Sequence, residues 1–192
     1  MKKLPVVTLG LLFFAASTLA QTEAVDYQKW QEINLLDGDI KITFPGEPGR
    51  NTIERDLSIG KVTSTELSLS FPKVTFMLSW SDFPHSAATS NDGLKGSYNL
   101  IRDHVLTGMS AKLISEREVR TDGFLGRELV FTSGTQFIKY RVFIVGRREY
   151  QLTTSRFADA ENDPKISDAV DSFFDSFHFI SQTANNQQKS SQ

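Results

Sequence analysis

The sequence has no cysteine among its 192 residues. That single absence excludes disulfide scaffolds, thiolate metal sites, cysteine nucleophiles and a lipidated N-terminal cysteine together. Histidine is scarce as well, with only His85, His104 and His178, each in a different expected element. A zinc site needs three or four converging ligands, and even the nearest approach to a ligand pair, Asp82-Phe83-Pro84-His85, reads as a solvated loop. No metal or cofactor is therefore expected. There is no Gly-x-Ser-x-Gly elbow, and Gly93-Leu94-Lys95-Gly96-Ser97 lacks the long Gly-to-Gly-Lys spacing of a phosphate loop and reads as a helix start. Charge of one sign is also missing. With 21 basic and 23 acidic side chains, neither nucleic acid nor an anionic membrane is the expected partner.

Long apolar runs are confined to the N-terminus. Lys2 and Lys3 precede an apolar stretch from Leu4 to Ala16, which gives way to Ser17-Thr18-Leu19-Ala20. This is the pattern of a secretory signal peptide over residues 1–20, with cleavage after Ala20. The apolar stretch falls short of the roughly 20 residues of a spanning helix, and nothing later approaches that length. The mature chain is thus expected to be soluble, in the periplasm or outside the cell. Losing Lys2 and Lys3 leaves it 19 basic against 23 acidic side chains, net −4. Residues 21–38 read as a lead-in, 39–180 as one domain, and 181–192, rich in Ser, Gln and Asn, as a disordered tail.

Between these ends the chain alternates in twos, the strand signature. Ile40, Ile42 and Phe44 alternate with Lys41 and Thr43 before the breakers Pro45-Gly46-Glu47-Pro48-Gly49. Weaker strands follow over 51–57 and 62–71, then a clean one in Val74, Phe76, Leu78 and Trp80. Leu94, Tyr98, Ile101 and Val105 make one stripe of an amphipathic helix, capped by Asn91 or Asp92 and stopped by Gly108. Four extended runs, 113–120, 125–132, 136–145 and 149–155, read as an antiparallel meander. Asn162-Asp163-Pro164 starts a second helix with Ile166, Val170, Phe173 and Phe177 on its apolar face, and Phe177 and Phe179 flank a last short strand. The pattern predicts an α+β domain, a mainly antiparallel sheet flanked by helices.

Register follows from turn chemistry. A two-residue Gly134-Thr135 turn pairs Ser133 with Gln136, Leu129 with Tyr140 and Glu128 with Arg141. At the next hairpin, apolar matching favours a three-residue loop, Gly146 to Arg148, with Ile144 opposite Tyr150 and Val142 opposite Leu152. Cations concentrate on this meander: Arg117, Arg120, Arg127, Lys139, Arg141, Arg147 and Arg148. Arg127, Lys139, Arg141 and Arg148 are candidates for binding an anionic ligand or acidic partner, because arginine forks suit carboxylates. Glu116, Glu118, Glu128 and Glu149 are interspersed, so a solvated, salt-bridged sheet face is the alternative.

Gly123-Phe124-Leu125-Gly126-Arg127-Glu128-Leu129, the segment Arg141 to Leu152, and Phe173-Phe174-Asp175-Ser176-Phe177 resemble a family of exported bacterial proteins. Its members run Gly-x-x-Gly-Arg-Glu, then Arg…Tyr-x-Leu, then Phe-x-x-Ser-Phe, and Phe44-Pro45-Gly46-Glu47-Pro48 matches the usual first strand and loop. The resemblance spans about Asp39 to Phe179 and implies a Mog1/PsbP-like fold. It does not extend to function: PsbP proteins dock on photosystem II and Mog1 binds a small GTPase, but the chain carries no motif specific to either, and what the wider fold group shares is non-enzymatic docking. Two functions follow. The favoured one is an exported, non-enzymatic binding or assembly module that docks a protein or envelope partner through a sheet face or loops. The alternative is a small hydrolase or anionic-ligand-binding domain, with a pocket around Arg127, Arg141, Tyr150 and His85.

Overall fold

A computed structural model describes residues 29–36, 39–57, 60–83, 91–160 and 163–180. The expected signal peptide, the tail and His85 lie outside them. Among the described residues, ten strands form two sheets. The small one has the order β1–β2–β10, from β1 (Gln31–Leu35), β2 (Ile40–Phe44) and β10 (His178–Phe179). The large one has seven antiparallel strands in the order β3–β4–β5–β9–β8–β7–β6. Its strands are β3 (Gly49–Leu57), β4 (Gly60–Ser70), β5 (Val74–Asp82), β6 (Lys112–Thr121), β7 (Phe124–Ser133), β8 (Gln136–Val145) and β9 (Arg148–Phe157). The meander β6 to β9 is as the alternation predicts. Strand β1 lies inside the segment read as a lead-in.

Two helices lie on opposite faces of the large sheet. Helix α1 (Asn91–Gly108) buries Tyr98 and Val105 against Leu129, Phe131, Ile138, Tyr140 and Val142. Helix α2 (Pro164–Asp175) starts as its sequence dictates: Asp163 accepts the Lys165 N–H at 3.0 Å and Pro164 occupies the first turn. With the small sheet it covers the other face. Phe173 meets Phe44 at 5.1 Å and Phe76 at 5.4 Å between ring centroids, both edge-on, while Phe143 stacks on Phe177 at 5.6 Å. Three layers therefore enclose two hydrophobic clusters, one on each side of the sheet.

The turns between strands β6 and β8 match their residues. Asp122 (φ 49°) and Gly123 (φ 88°) are both left-handed, as a tight hairpin turn requires, and Gly134 (φ 56°) opens the next. Ser133 pairs with Gln136 and Glu128 with Arg141, in the register expected. The β8–β9 hairpin differs from expectation. Gly146 (φ 61°) and Arg147 make a two-residue turn, placing Ile144 opposite Glu149 and Val142 opposite Gln151. The apolar-matching argument assumed one buried face, and here both are buried. Tyr150 (3% exposed) and Leu152 (0%) reach the α2 side, while Glu149 (8%) and Gln151 (6%) are buried on the α1 side.

Gly126 sits where β7 presses closest on β8. Its partner is Phe143, and a Cβ at Gly126 would come within 2.5 Å of the Phe143 ring and 2.7 Å of the Val142 carbonyl oxygen. The Phe143 ring is fully buried between Phe177 and Phe179 and cannot yield. Gly126→Ala should therefore cost about 2–3 kcal/mol in urea unfolding, as overpacked cores do, and Phe143→Leu in the same chain should recover part of it. Unchanged stability of the single variant would contradict this packing.

Candidate functional site

The charged residues of the meander are arranged by the strand pleat. Successive residues of β7 point to opposite faces, so Arg127 faces α1 and Glu128 faces α2. On the α2 side, Arg117, Glu128 and Arg141 line up directly across β6, β7 and β8. Arg117 Nη2 lies 2.6 Å from Glu128 Oε1, Arg141 donates through Nε and Nη2 to Oε2 at 2.9 and 2.6 Å, and its Nη1 donates to the Phe174 carbonyl of α2 at 3.1 Å. On the α1 side, Glu116 of β6 receives Arg127 from β7 and, at 3.1 Å, Arg102 from α1. Each face thus carries an Arg–Glu–Arg triad, and each triad reaches a helix.

Burial sets the character of these groups. Glu128 is 4% exposed, Arg141 7% and Arg127 9%, so the solvated face expected as the alternative is instead an interior one. Burial pushes the Glu128 carboxyl up, but hydrogen bonds from Arg141 and Arg117 and the charges of Arg141 and Lys139 outweigh it and hold the group below the ordinary value. Arg127 lies 5.8 Å from the Tyr98 ring centroid. The Tyr98 hydroxyl donates to the Leu125 carbonyl at 2.7 Å and accepts the Ile144 N–H at 3.1 Å, just past the last β7–β8 pair. Burial pushes its pKa up to about 12.

The four candidate binding residues do not converge. Arg127 is on the α1 face, whereas Lys139, Arg141 and Arg148 are on the α2 face. Arg148 is at the hairpin end, 2.6 Å from Asp82, and Lys139 Nζ is 2.9 Å from Asp171 and 4.8 Å from the Phe174 ring. Tyr150 is core, packed on Phe177 and Phe179. The pocket expected around Arg127, Arg141 and Tyr150 is therefore divided by the sheet. His178 lies 3.2 Å from Asp122, whose other contact is the Phe179 N–H at 2.8 Å, which anchors β10. Among the described residues, no group of three His, Asp or Glu could hold a metal, and no helix is long and apolar enough to cross a membrane.

Openings border α2 at its end and under its middle. One is a groove of about 580 Å³ between edge strand β6 and the end of α2, walled by Arg117, Arg120, Arg141 and His178 with Glu118, Asp122 and Asp175. The other is a cleft of about 270 Å³ under the middle of α2, where Lys139, Arg156 and Ser167 meet Glu128 and Asp171. Sequence reasoning missed Arg156, which lies past the run it took as β9, and Ser167, whose nearness only the tertiary fold provides.

Of the two buried glutamates among the described residues, Glu149, on the opposite face, is the one that no arginine pairs. Its carboxylate accepts from Gln151 Nε2, and burial holds its pKa above the ordinary value. The nearby Tyr140 and Thr153 hydroxyls are buried without partners. The two carboxylates therefore respond oppositely to pH. Glu128, with its pKa lowered in the fold, stabilises above the unfolded carboxylate value and loses that contribution as pH falls through the folded one. Glu149, with its pKa raised, favours the fold below the unfolded value and loses that as pH rises through the folded one. Glu128→Gln should cost about 3 kcal/mol at pH 7, with the deficit vanishing in acid. Glu149→Gln should raise the melting temperature at pH 7 by about 2 °C or more, with the gain shrinking toward pH 4. Parallel pH profiles for the two variants would refute the assignment.

No family model matches the sequence, and no curated protein matches it. The solution structure of cyanobacterial PsbP (CyanoP) from a Synechocystis species is similar at a TM-score of 0.52 and 13% identity, covering 86% of this chain and 99% of that one. The crystal structure of the Saccharomyces cerevisiae Ran-binding protein Mog1p is similar at a TM-score of 0.45 and 10% identity, covering 79% of this chain and 95% of that one. The α+β fold is of the Mog1/PsbP type that the motifs imply, and the likeness to CyanoP carries that conclusion.

Proposed function

We propose that the chain is an exported, non-enzymatic binding module that docks a protein or envelope partner beside helix α2. The observation that carries this reading is the groove along β6. β6 is the outermost strand of the large sheet, so among the described residues one of its backbone edges has no neighbouring strand. Arg117, 64% exposed, is held along the groove by the buried triad, and Arg120, whose Nη1 donates to the Gly123 carbonyl of the β6–β7 turn, lines it as well. A rigid, cation-bearing wall beside a free strand edge suits an acidic extended segment, which gains main-chain hydrogen bonds and charge pairing together. The basic start and small-residue end of residues 1–20 support export, and the likeness to CyanoP in fold is compatible with a docking role.

A photo-crosslinking residue at position 120, in protein recovered from the periplasm with Gln21 as its first residue, tests this. A discrete adduct is expected from position 120 and none from position 51, on the opposite edge strand β3. Equal labelling from both positions, or none from 120, would overturn the docking site.

A further inference from the structure

The cleft beneath α2 is separate from the groove and has its own chemistry. Its floor is β7 to β9 and its roof is α2. Arg156 enters it with Nη1 on the Ser167 hydroxyl at 3.0 Å and its guanidinium 4.7 Å from the Phe137 ring centroid. Arg156 Nε is buried with no hydrogen-bond acceptor, and no carboxylate of the described residues lies within ion-pair distance of this side chain. An arginine guanidinium held in this way between Ser167 and Phe137, with no carboxylate paired to it among the described residues, is one half of a carboxylate site.

Lys139 supplies the second cation. Its partner Asp171 is 66% exposed, and such ion pairs exchange readily for another carboxylate. The other acid on the wall, Glu128, is already committed to Arg117 and Arg141. The cleft and the triad beside it therefore hold four cations, Arg117, Lys139, Arg141 and Arg156, against two carboxylates, Glu128 and Asp171. Val130, Phe137 and Val170 make the rest of the lining apolar. We infer that this cleft binds a carboxylate on a short apolar stem, its head between Arg156, Ser167 and Lys139 and its stem against Phe137 and Val170. Glu128 and Asp171 on the wall disfavour a dianion, which selects carboxylate over phosphate. The volume, about nine waters' worth at about 30 Å³ each, sets the size of the stem.

The test is an NMR titration of the whole mature chain with sodium butyrate, N-acetylvaline as a mimic of a peptide C-terminus, and inorganic phosphate. Saturable shifts confined to residues 137–139, 154–156 and 167–171 are expected with butyrate or N-acetylvaline, and which of them binds tighter distinguishes a free acid from a chain end. Each methylene from acetate to butyrate should tighten binding about three- to fourfold. Arg156→Gln should weaken binding at least tenfold, and Arg156→Lys less, with the spectrum of the rest of the fold unchanged. Should Arg156→Gln fail to fold, Ser167→Ala is expected to weaken binding in the same direction. Absence of saturable binding by either carboxylate, or phosphate binding as tightly as butyrate, would overturn the site.

Discussion

The central strands of the large sheet are buried on both faces, and the rest of the structure depends on that constraint. A strand with one wet face can place its charges there. β7 has no such face, so Arg127 and Glu128 must be satisfied inside, each by residues of the layer it meets. The solution is one carboxylate shared between two arginines on each side: Glu116 between Arg102 and Arg127, Glu128 between Arg117 and Arg141. Buried ion pairs contribute little over well-packed apolar groups, yet removing one partner is severe, so their effect is on specificity more than on stability. A one-residue slip of β7 on β8 would set Glu128 opposite Tyr140 or Val142, and both triads would be lost. The Gly126-Arg127-Glu128 motif thus combines a close approach to Phe143 with one charged anchor toward each helix.

That arrangement also explains where binding can occur. The same pleat that hides Glu128 and Arg141 brings Lys139 and Arg156 to the underside of α2, where apolar residues line the space between them. The site proposed here follows from the charges that the triad leaves over. Its rigidity comes from the sheet, and its openness from α2 covering the face without filling it.

Much of this was legible in the sequence. Periodicity located both helices, and the Asp163-Pro164 start fits because a cap is a local device. The Glu128–Arg141 pair could be read because Gly134 fixes the turn and the turn fixes every pair behind it. The β8–β9 register could not, because matching apolar residues presumes one dry face and Tyr150 and Leu152 find another. β1 was hidden because Gln31–Leu35 is too short and polar to stand out, and it is a strand only because β2 pairs with it. The contacts of Arg102 with Glu116 and of Arg156 with Ser167 join elements through tertiary packing, for which spacing carries no signal.

Hydrogen exchange of the Glu116→Gln and Glu128→Gln variants bears most directly on this account, because local openings report which layer each triad secures. The two-triad arrangement predicts that Glu128→Gln speeds exchange in α2, centred on residues 173–176, while α1 stays protected, and that Glu116→Gln does the reverse. Both helices loosening equally in either variant, or neither responding, would contradict it.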